Sequence, residues 1–361
     1  MKRRPFVVIT TRLPPIACGI GTYSWLAYRN RPKDFAPGEF LVMEGAVQSR
    51  SVLDFNGITD FNGDPESLGR ALDRVGSADV LLHYAGRAYQ RFGCPTWLPG
   101  VLSAWKRKAP KSRLTIFFHE LPGRLPILSR HFFFGLVGQR IVRKLSAVAD
   151  VLVTNTENHV AILRALTGRE IHLLPVGSNI EPTADHSTPR SLTEFVIFGL
   201  PFGRLQTLNL FLPEMERWLR EGRLTSLHLI GPVDKKFSSQ ADRLIQTWAR
   251  PGVVIPHGLL PEAEVASILV QAGFALTNVT KETWSKSGAF MACAVTGCSP
   301  VIKGEKPDSA PLCYAVSSSE IGKISEADLA SRTVSLKAWY YENSDWTVTG
   351  RQLAMLSEHE E

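Results

Sequence analysis

The sequence predicts an α/β protein with two Rossmann-like, doubly wound parallel sheets. Three observations predict two such sheets: short apolar runs recur along the whole chain, segments long enough for helices separate them, and a turn-rich stretch divides the chain near its middle. Continuous apolar runs are typical of strands covered on both faces, as in a parallel sheet. Their alternation with helical segments is typical of α/β folds.

Ten runs are the strand candidates, five on each side of the turn-rich stretch 177–193. They are 6–10, 78–84, 114–118, 150–154, 171–174, 195–198, 226–230, 253–255, 274–276 and 300–302.

The length of 361 residues is enough for about two domains. We predict an amino-terminal domain over 1–180, a second domain over 181–325 and a closing helical segment over 326–361. This last segment resembles a terminal helix that docks on another domain. Its apolar anchors at helical spacing are Leu336, Trp339, Tyr340, Trp346 and Leu353.

The composition excludes several classes of protein. Hydrophobic residues make up 44% and charged residues 21%, which excludes a disordered, fibrous or disulfide-stapled chain. The five cysteines include no Cys-x-x-Cys pair, so we expect a reducing cytoplasm and no metal site. The net charge of 41 − 34 = +7 favours anionic partners.

Ligands of open α/β sheets bind beyond the carboxyl ends of the strands. After the first strand, Gly19 and Gly21 precede a helix start expected at Thr22, but Ser24 replaces the third glycine of a dinucleotide fingerprint. A plain glycine turn is the alternative. Tyr84 and Gly86 follow the second strand candidate.

His119 and Glu120 leave the strand candidate 114–118 and are well placed to face a cleft. A hydrogen-bonded structural histidine is the alternative for His119.

In the second half, glycines follow three strand candidates. Gly203 and Arg204 follow the first, and an arginine beside a glycine turn is suited to clamp a diphosphate. Gly231 ends the next strand, and Gly258 with Leu259 follows the third.

The stretch 283–302 is the most informative. Lys286, Ser287 and Gly288 open a helix of small residues that stops at Gly297, and a helix amino terminus beside a lysine favours a phosphate. An ordinary amphipathic helix is the alternative.

The run 124–144 interleaves six basic residues with aromatic and aliphatic ones, a pattern suited to an anionic membrane surface. Its basic residues are Arg124, Arg130, His131, Arg140, Arg143 and Lys144. A core helix with a solvated basic face is the alternative.

Several motifs in order resemble the two-domain GT-B glycosyltransferases, especially the retaining glycosyltransferase family four. The matching segments are 19–23, His119, 149–156, 174–179, 258–265, 296–302 and the closing aromatic helix. The resemblance covers nearly the whole chain and implies a fold of GT-B type, with two Rossmann-like domains facing a cleft.

The resemblance implies that sugar moves, with retention, from a nucleotide-diphosphate sugar to a glycan or lipid-linked acceptor in a cleft between the domains. The closing helix would cross back onto the first domain. No metal or other cofactor is implied, because His119, Arg204 and Lys286 would act on the donor sugar and diphosphate. The chain would work in cell-surface polysaccharide or glycolipid synthesis, in the cytoplasm or peripherally on the inner face of the plasma membrane.

By the same resemblance the amino-terminal half holds the acceptor and the carboxyl-terminal half the donor. The acceptor-side candidates are Gly19, Gly21, Tyr84 and Gly86. The donor-binding candidates are Gly203, Gly231, Gly258, Leu259, Glu282, Ser287 and Gly288.

The sequence departs from the family where two glutamates, eight residues apart, are usual. Counted from Gly297, those positions hold Trp284 and Ala292. The family also has a lysine five residues after an arginine, and here Asn209 stands five residues after Arg204. Either Lys286 takes over the neutralisation of phosphate, or the chain is a degenerate GT-B-like binding protein or partner subunit. A nucleotide-sugar 2-epimerase is a third reading, and no nucleic-acid motif is present.

Overall fold

The computed structural model describes residues 4–16, 18–35, 38–123, 132–182, 190–247 and 252–358. The chain divides into two compact units. The first unit comprises Met1–Pro175 and Trp346–Glu361, and the second comprises Val176–Asp345.

The first unit contains a seven-stranded sheet in which all neighbouring strands are parallel. Its order is β3-β2-β1-β4-β5-β6-β7. The strands are β1 (Phe6–Thr10), β2 (Gly38–Val42), β3 (Ile58–Asp60), β4 (Asp79–Tyr84), β5 (Leu114–Phe118), β6 (Val151–Thr154) and β7 (His172–Leu173).

The described residues of this unit form eight helices, and one of these helices comes from the end of the chain. They are α1 (Gly19–Arg29), α2 (Ala46–Leu53), α3 (Pro65–Val75), α4 (Gly86–Tyr89), α5 (Leu98–Lys108), α6 (Phe132–Val148), α7 (Glu157–Thr167) and α13 (Trp346–Ser357).

The second unit contains a six-stranded parallel sheet of order β10-β9-β8-β11-β12-β13. The strands are β8 (Ser191–Phe198), β9 (Ser226–Ile230), β10 (Val254–Gly258), β11 (Ala272–Leu276), β12 (Ser299–Ile302) and β13 (Val316–Ser317). The helices are α8 (Pro201–Arg220), α9 (Lys235–Thr247), α10 (Glu262–Gln271), α11 (Gly288–Thr296) and α12 (Glu326–Asn343).

The predicted parallel sheets are confirmed. Every residue of β1, β4 and β5 is buried, as expected for strands with helices on both faces. Each of the ten strand candidates coincides with or overlaps a strand of one of the two sheets.

Three strands and the start of one helix differ from the sequence-based expectation. The strands β2, β3 and β13 were not predicted, because their apolar runs are only one to three residues long. The first helix begins at Gly19 rather than Thr22, because the Cys18 sulfur accepts a hydrogen bond from the Gly21 amide and caps the helix there.

The closing aromatic pattern forms two helices rather than one. In the second unit, α12 packs on α11 through Leu336 and Tyr340. In the first unit, α13 packs on α1 so closely that a Cβ on Gly350 would lie 2.7 Å from the Ala27 carbonyl oxygen.

No helix among the described residues is long and apolar enough to cross a bilayer. Arg124, Arg130 and His131 of the predicted membrane-surface run lie outside the described residues.

Candidate functional site

The order of the second sheet creates a crevice between β8 and β11. From β8 the chain proceeds outward to β9 and β10, and it then returns to the other side of β8 through β11, β12 and β13. In open α/β sheets, ligands usually bind where the strand order reverses in this way, at the carboxyl ends of the strands.

A groove of about 600 Å³ opens at this position. Its volume lies within the range of small-molecule sites in proteins. We call it the switch-point groove, and its lining residues are Gln206, Leu210, Asn278, Val279, Thr280, Thr283, Lys286 and Ser287.

One end of the switch-point groove is the amino terminus of α11. Ser287 caps this helix, because its hydroxyl accepts a hydrogen bond of 3.2 Å from the Phe290 amide. A Cβ built on Gly288 would meet no atom within 4 Å, so space remains above the first turn. Lys286 lies exposed beside it, and the helix dipole and the ammonium group together favour an anion here.

Polar side chains, together with Leu210 and Val279, form the rest of the groove, and the sequence did not single them out as site residues. The Asn278 amide donates to Gln206 Oε1 at 3.0 Å, which joins the loop after β11 to α8. The sequence signal for Gln206 and Asn278 was weak, because Gln206 lies inside a helix beyond the glycine turn and Asn278 follows β11 without a glycine motif.

Glu282 lies next to the groove rather than in its lining. Its carboxylate accepts a hydrogen bond of 2.6 Å from the Thr280 hydroxyl, and this bond lowers the pKa of Glu282. Among the described lining residues, Lys286 is the charged one and none is a carboxylate.

Arg204 does not line the switch-point groove. It precedes Gln206 by two residues, which is about 200° around a helix, so the two side chains point to nearly opposite faces of α8. The Arg204 guanidinium is buried, donates to the Pro232 carbonyl and lies 3.8 Å from the centroid of the Phe237 ring. Burial lowers the pKa of Arg204 to about 10.

The turns after β8 and β9 pack directly on each other. A Cβ on Gly231 would lie 2.1 Å from the Gly199 carbonyl oxygen, and its φ of +131° already favours glycine. Gly203, by contrast, has no atom within 4 Å of an added Cβ.

Exposed apolar side chains surround these turns. Each of them is more than half exposed, and they follow β8, β9 and β10: Leu200, Phe202, Val233 and Leu259. Gly258, with a φ of +71°, places Leu259 beyond the strand end and approaches Val233. The carboxyl edge of this sheet therefore carries an apolar rim beside the polar groove.

In the first unit, His119 lies at the carboxyl end of β5 and is buried. Its Nε2 lies 2.8 Å from His83 Nδ1, and its ring stacks on Phe117 and meets the edge of Tyr23. Burial lowers the pKa of His83 to about 3, so His83 is neutral at ordinary pH. The sequence did not single out His83, because a histidine inside an apolar strand has the pattern of a core residue.

Three of the four acceptor-side candidates have close packing in the structure. A Cβ on Gly21 would lie 2.1 Å from the Arg12 carbonyl oxygen, and one on Gly86 would lie 2.4 Å from that of Gly93. The Tyr84 ring is buried against Tyr89 and Phe118. Gly19, in contrast, is exposed at the start of α1.

The two positions that resemble the family's glutamate sites are filled by apolar side chains. Trp284 is buried edge-on against Trp339, and Ala292 lies in the core between α11 and α10. No group of three acidic, histidine or cysteine side chains within the described ranges is arranged to hold a metal ion.

The architecture is that of the GT-B fold, with two Rossmann-like units. No protein-family model matches the sequence, and no curated protein matches it. Solved structures match over nearly the whole chain. Sucrose-phosphate synthase from Thermosynechococcus elongatus has a TM-score of 0.67 at 14% identity, covering 98% of each chain.

Two further solved structures are similar to this chain. HepE from Anabaena, solved in complex with UDP and glucose, has a TM-score of 0.66 at 11% identity over 98% of each chain. WaaG, a glycosyltransferase involved in lipopolysaccharide biosynthesis, has a TM-score of 0.60 at 11% identity, covering 98% of this chain and 99% of WaaG. At these identities the likeness establishes the fold.

Proposed function

We propose that this protein is a glycosyltransferase that moves a sugar from a nucleotide-diphosphate sugar to a glycan or lipid-linked acceptor. The observation that carries the proposal is the switch-point groove, where Lys286 and the amino terminus of α11 meet. The likeness in fold to HepE, solved with UDP and glucose, supports a nucleotide-sugar donor.

In this proposal the bond between the sugar and the diphosphate breaks, and negative charge develops on the leaving phosphate. The Lys286 ammonium and the amides of Gly288 and Ala289 stabilise that charge, as fixed donors do in other transferases. Catalysis then requires no metal ion. Retention of the anomeric configuration and a role in cell-surface glycan or glycolipid synthesis are carried over from the family resemblance.

The apolar rim suits the nucleoside part of the donor. Leu200, Phe202, Val233 and Leu259 offer exposed apolar surface on the same sheet edge as the anion site. A nucleotide has both a flat apolar base and a charged diphosphate, so it matches a surface with both features.

We assign Arg204 a supporting role in the donor site. Its hydrogen bond to the Pro232 carbonyl fastens the turn after β9 to α8, and its contact with Phe237 fastens the first turn of α9 to α8. His119 stays a candidate for contact with the donor sugar, and its hydrogen bond to neutral His83 holds the ring in place.

Release of nucleoside diphosphate and transfer of labelled sugar test the proposal. The purified protein is incubated with UDP-, GDP- and ADP-sugars and a mixture of glycan and lipid-linked acceptors. We expect turnover with one donor class, reduced at least tenfold in Lys286→Ala and unchanged in Lys281→Ala, whose exposed lysine is outside the groove lining. No transfer with any donor would contradict the proposal.

A non-catalytic GT-B-like binding protein or partner subunit is the second candidate function. The observation that favours it is that buried Trp284 and Ala292 occupy the positions where the family usually has glutamates. The described groove lining contains no carboxylate. It predicts nucleotide binding without turnover. The same lining argues against a 2-epimerase, which needs carboxylates for proton transfer at the sugar.

We also propose that the protein works on the cytoplasmic side of the plasma membrane, where nucleotide sugars and a lipid-linked acceptor meet. This placement is carried over from the family resemblance.

A further inference from the structure

The exposed face of α6 has an unusual arrangement of side chains. Helical spacing places six exposed residues on one stripe, which we call the α6 stripe: Phe133, Leu136, Val137, Arg140, Arg143 and Lys144. Its first half is apolar and its second half is cationic. In soluble proteins such apolar residues normally face the core.

The opposite face of α6 explains why the bulky residues point outward. Gly135 and Gly138 face the body of the unit, where an added Cβ would lie 3.2 Å from the Gly123 carbonyl oxygen and 2.8 Å from Pro122 Cβ, respectively. The helix therefore approaches the loop at 122–123 through glycines. Because α6 packs through its glycines, its phenylalanine end stays exposed.

A second segment extends the apolar surface. The Phe92 side chain is 57% exposed, and its ring stacks on Phe134 with centroids 5.5 Å apart. The Arg91 guanidinium lies 5.6 Å from the centroid of the Phe92 ring, so it adds a cation at the edge of the surface. The Cys94 thiol donates a hydrogen bond of 3.4 Å to the Phe134 carbonyl and so links the segment of Phe92 to α6.

The charges around this surface have one sign. The sequence of α6 contains no aspartate or glutamate. Arg140, Arg143 and Lys144 have no ion pair to any carboxylate in the described part of the chain.

We propose that the α6 stripe and Phe92 dock this protein on a bilayer that contains anionic phospholipid. Phe133, Leu136 and Val137 enter the boundary between headgroups and acyl chains, and the cations lie among the phosphates. The cationic half lies about 10 Å further along the helix axis, so a tilted α6 inserts its apolar end while its cations stay at the level of the phosphates. This proposal does not rest on sugar transfer, so the two can fail separately.

A second copy of the chain fits the surface less well. Pairing two α6 stripes would bring apolar ends together, but it would leave cations on both copies with no acidic residue of α6 to meet them. Anionic headgroups supply that missing negative charge. Charge complementarity therefore favours the membrane.

Sedimentation with vesicles tests the proposal on the full chain. We expect binding to vesicles of 70% phosphatidylcholine and 30% phosphatidylglycerol at about 20 mM salt, loss of binding at about 500 mM salt, and none to pure phosphatidylcholine. The triple variant Arg140→Gln, Arg143→Gln, Lys144→Gln should bind about 100-fold more weakly. The double variant Phe133→Ser, Leu136→Ser should bind at least tenfold more weakly.

Matched control variants test whether vesicle binding depends on this surface rather than on the total charge or the total exposed apolar area of the protein. Lys235→Gln, Lys236→Gln, Arg243→Gln removes three exposed cations from α9, and Val47→Ser, Val334→Ser removes two exposed apolar side chains elsewhere. Both should bind vesicles like the wild type. All altered side chains are exposed, so unchanged thermal unfolding confirms that each variant is folded.

Three results would overturn the proposal. They are no binding of the wild type to anionic vesicles, equal losses in the α9 control and the α6 triple variant, and unchanged binding of Phe133→Ser, Leu136→Ser. Self-association that this double variant abolishes, without vesicle binding by the wild type, would assign the surface to a second copy.

Discussion

Lys286 is the residue on which the proposed donor site depends most. It is the charged side chain among the described residues of the switch-point groove, and it adjoins the capped start of α11. Removal of a charge-assisted phosphate contact costs about 1.5–3 kcal/mol. Lys286→Ala should therefore weaken nucleoside-diphosphate binding by about 10- to 100-fold, measured by titration calorimetry.

Lys281→Ala provides the matched control for that prediction. Lys281 is an exposed lysine in the same loop that does not line the groove. If both variants lose affinity equally, general charge rather than the groove holds the ligand, and the assignment of Lys286 is wrong.

His83 gives the first unit a predictable dependence on pH. Its pKa is about 3 in the folded chain and near 6.5 when unfolded, so the unfolded state takes up the proton first as the pH falls. Stability linked to His83 is therefore lost progressively below pH 6.5, by about 1–2 kcal/mol at pH 5. His83→Gln should lose less stability than the wild type between pH 7 and pH 5 in urea unfolding.

Equal losses in the wild type and in His83→Gln would show that His83 titrates normally. Because His119 Nε2 lies 2.8 Å from His83 Nδ1, the glutamine keeps a hydrogen-bonding group beside His119. His83→Phe removes that group and serves as the comparison for packing.

Some of the site residues predicted from the sequence line the groove in the structure, and others lie outside it. Lys286 and Ser287 were predictable because they immediately precede a helix start. Arg204 and Tyr84 also follow strands, but their side chains are buried. Proximity to a strand end predicts a residue's position along the sheet, whereas the direction of its side chain depends on neighbouring elements.

Among the elements, the paired turns after β8 and β9 are sensitive to substitution. Gly231→Ala would place Cβ 2.1 Å from the Gly199 carbonyl oxygen at a φ of +131°. We expect a loss of about 2–4 kcal/mol in the free energy of unfolding. Gly203→Ala in the first turn of α8 has open space and should change stability by less than about 1 kcal/mol.

Urea unfolding of the two alanine variants makes the comparison. Similar free energies of unfolding for Gly231→Ala and Gly203→Ala would contradict the close approach of the two turns.

The segment between β13 and α12 is held by an ion pair. Glu320 accepts from Arg332 at 2.7 and 2.9 Å, and these bonds lower the pKa of Glu320 to about 2. A lowered carboxyl pKa contributes stability that is present above pH 4.5 and is lost as the pH falls toward 2. Glu320→Gln should cost about 1–2 kcal/mol at pH 7, because the pair is partly exposed, and less at pH 3.

Urea unfolding at pH 7 and pH 3 checks this ion pair. A cost of Glu320→Gln that is the same at both pH values would show that the ionised carboxylate contributes little.

The elements were predictable where apolar runs are long. The run Phe6–Thr10 is apolar enough to identify β1 from the sequence, whereas β13 has only two residues. The split of the closing segment into α12 and α13 was not predictable, because Trp339 and Trp346 follow one helical period. Only packing shows that α12 contacts α11 and α13 contacts α1.

In the molecule as a whole, exposed apolar side chains are concentrated in two places. Of the fifteen large ones within the described ranges, five lie on α6 and at Phe92, and five lie on the groove and its rim. The remaining five are scattered over α2, α12 and α13. Large exposed apolar patches usually mark binding surfaces, which fits a protein with a nucleotide site and a separate lipid-binding surface.

The central claim is that the second unit binds a nucleoside diphosphate, and thermal unfolding with UDP, GDP and ADP tests it most directly. A ligand at 100 times its Kd that binds only the folded state adds about 2.7 kcal/mol of stability. We predict that one of the three nucleotides raises the Tm of the wild type and shifts that of Lys286→Ala much less. An unchanged Tm with all three nucleotides would contradict the account.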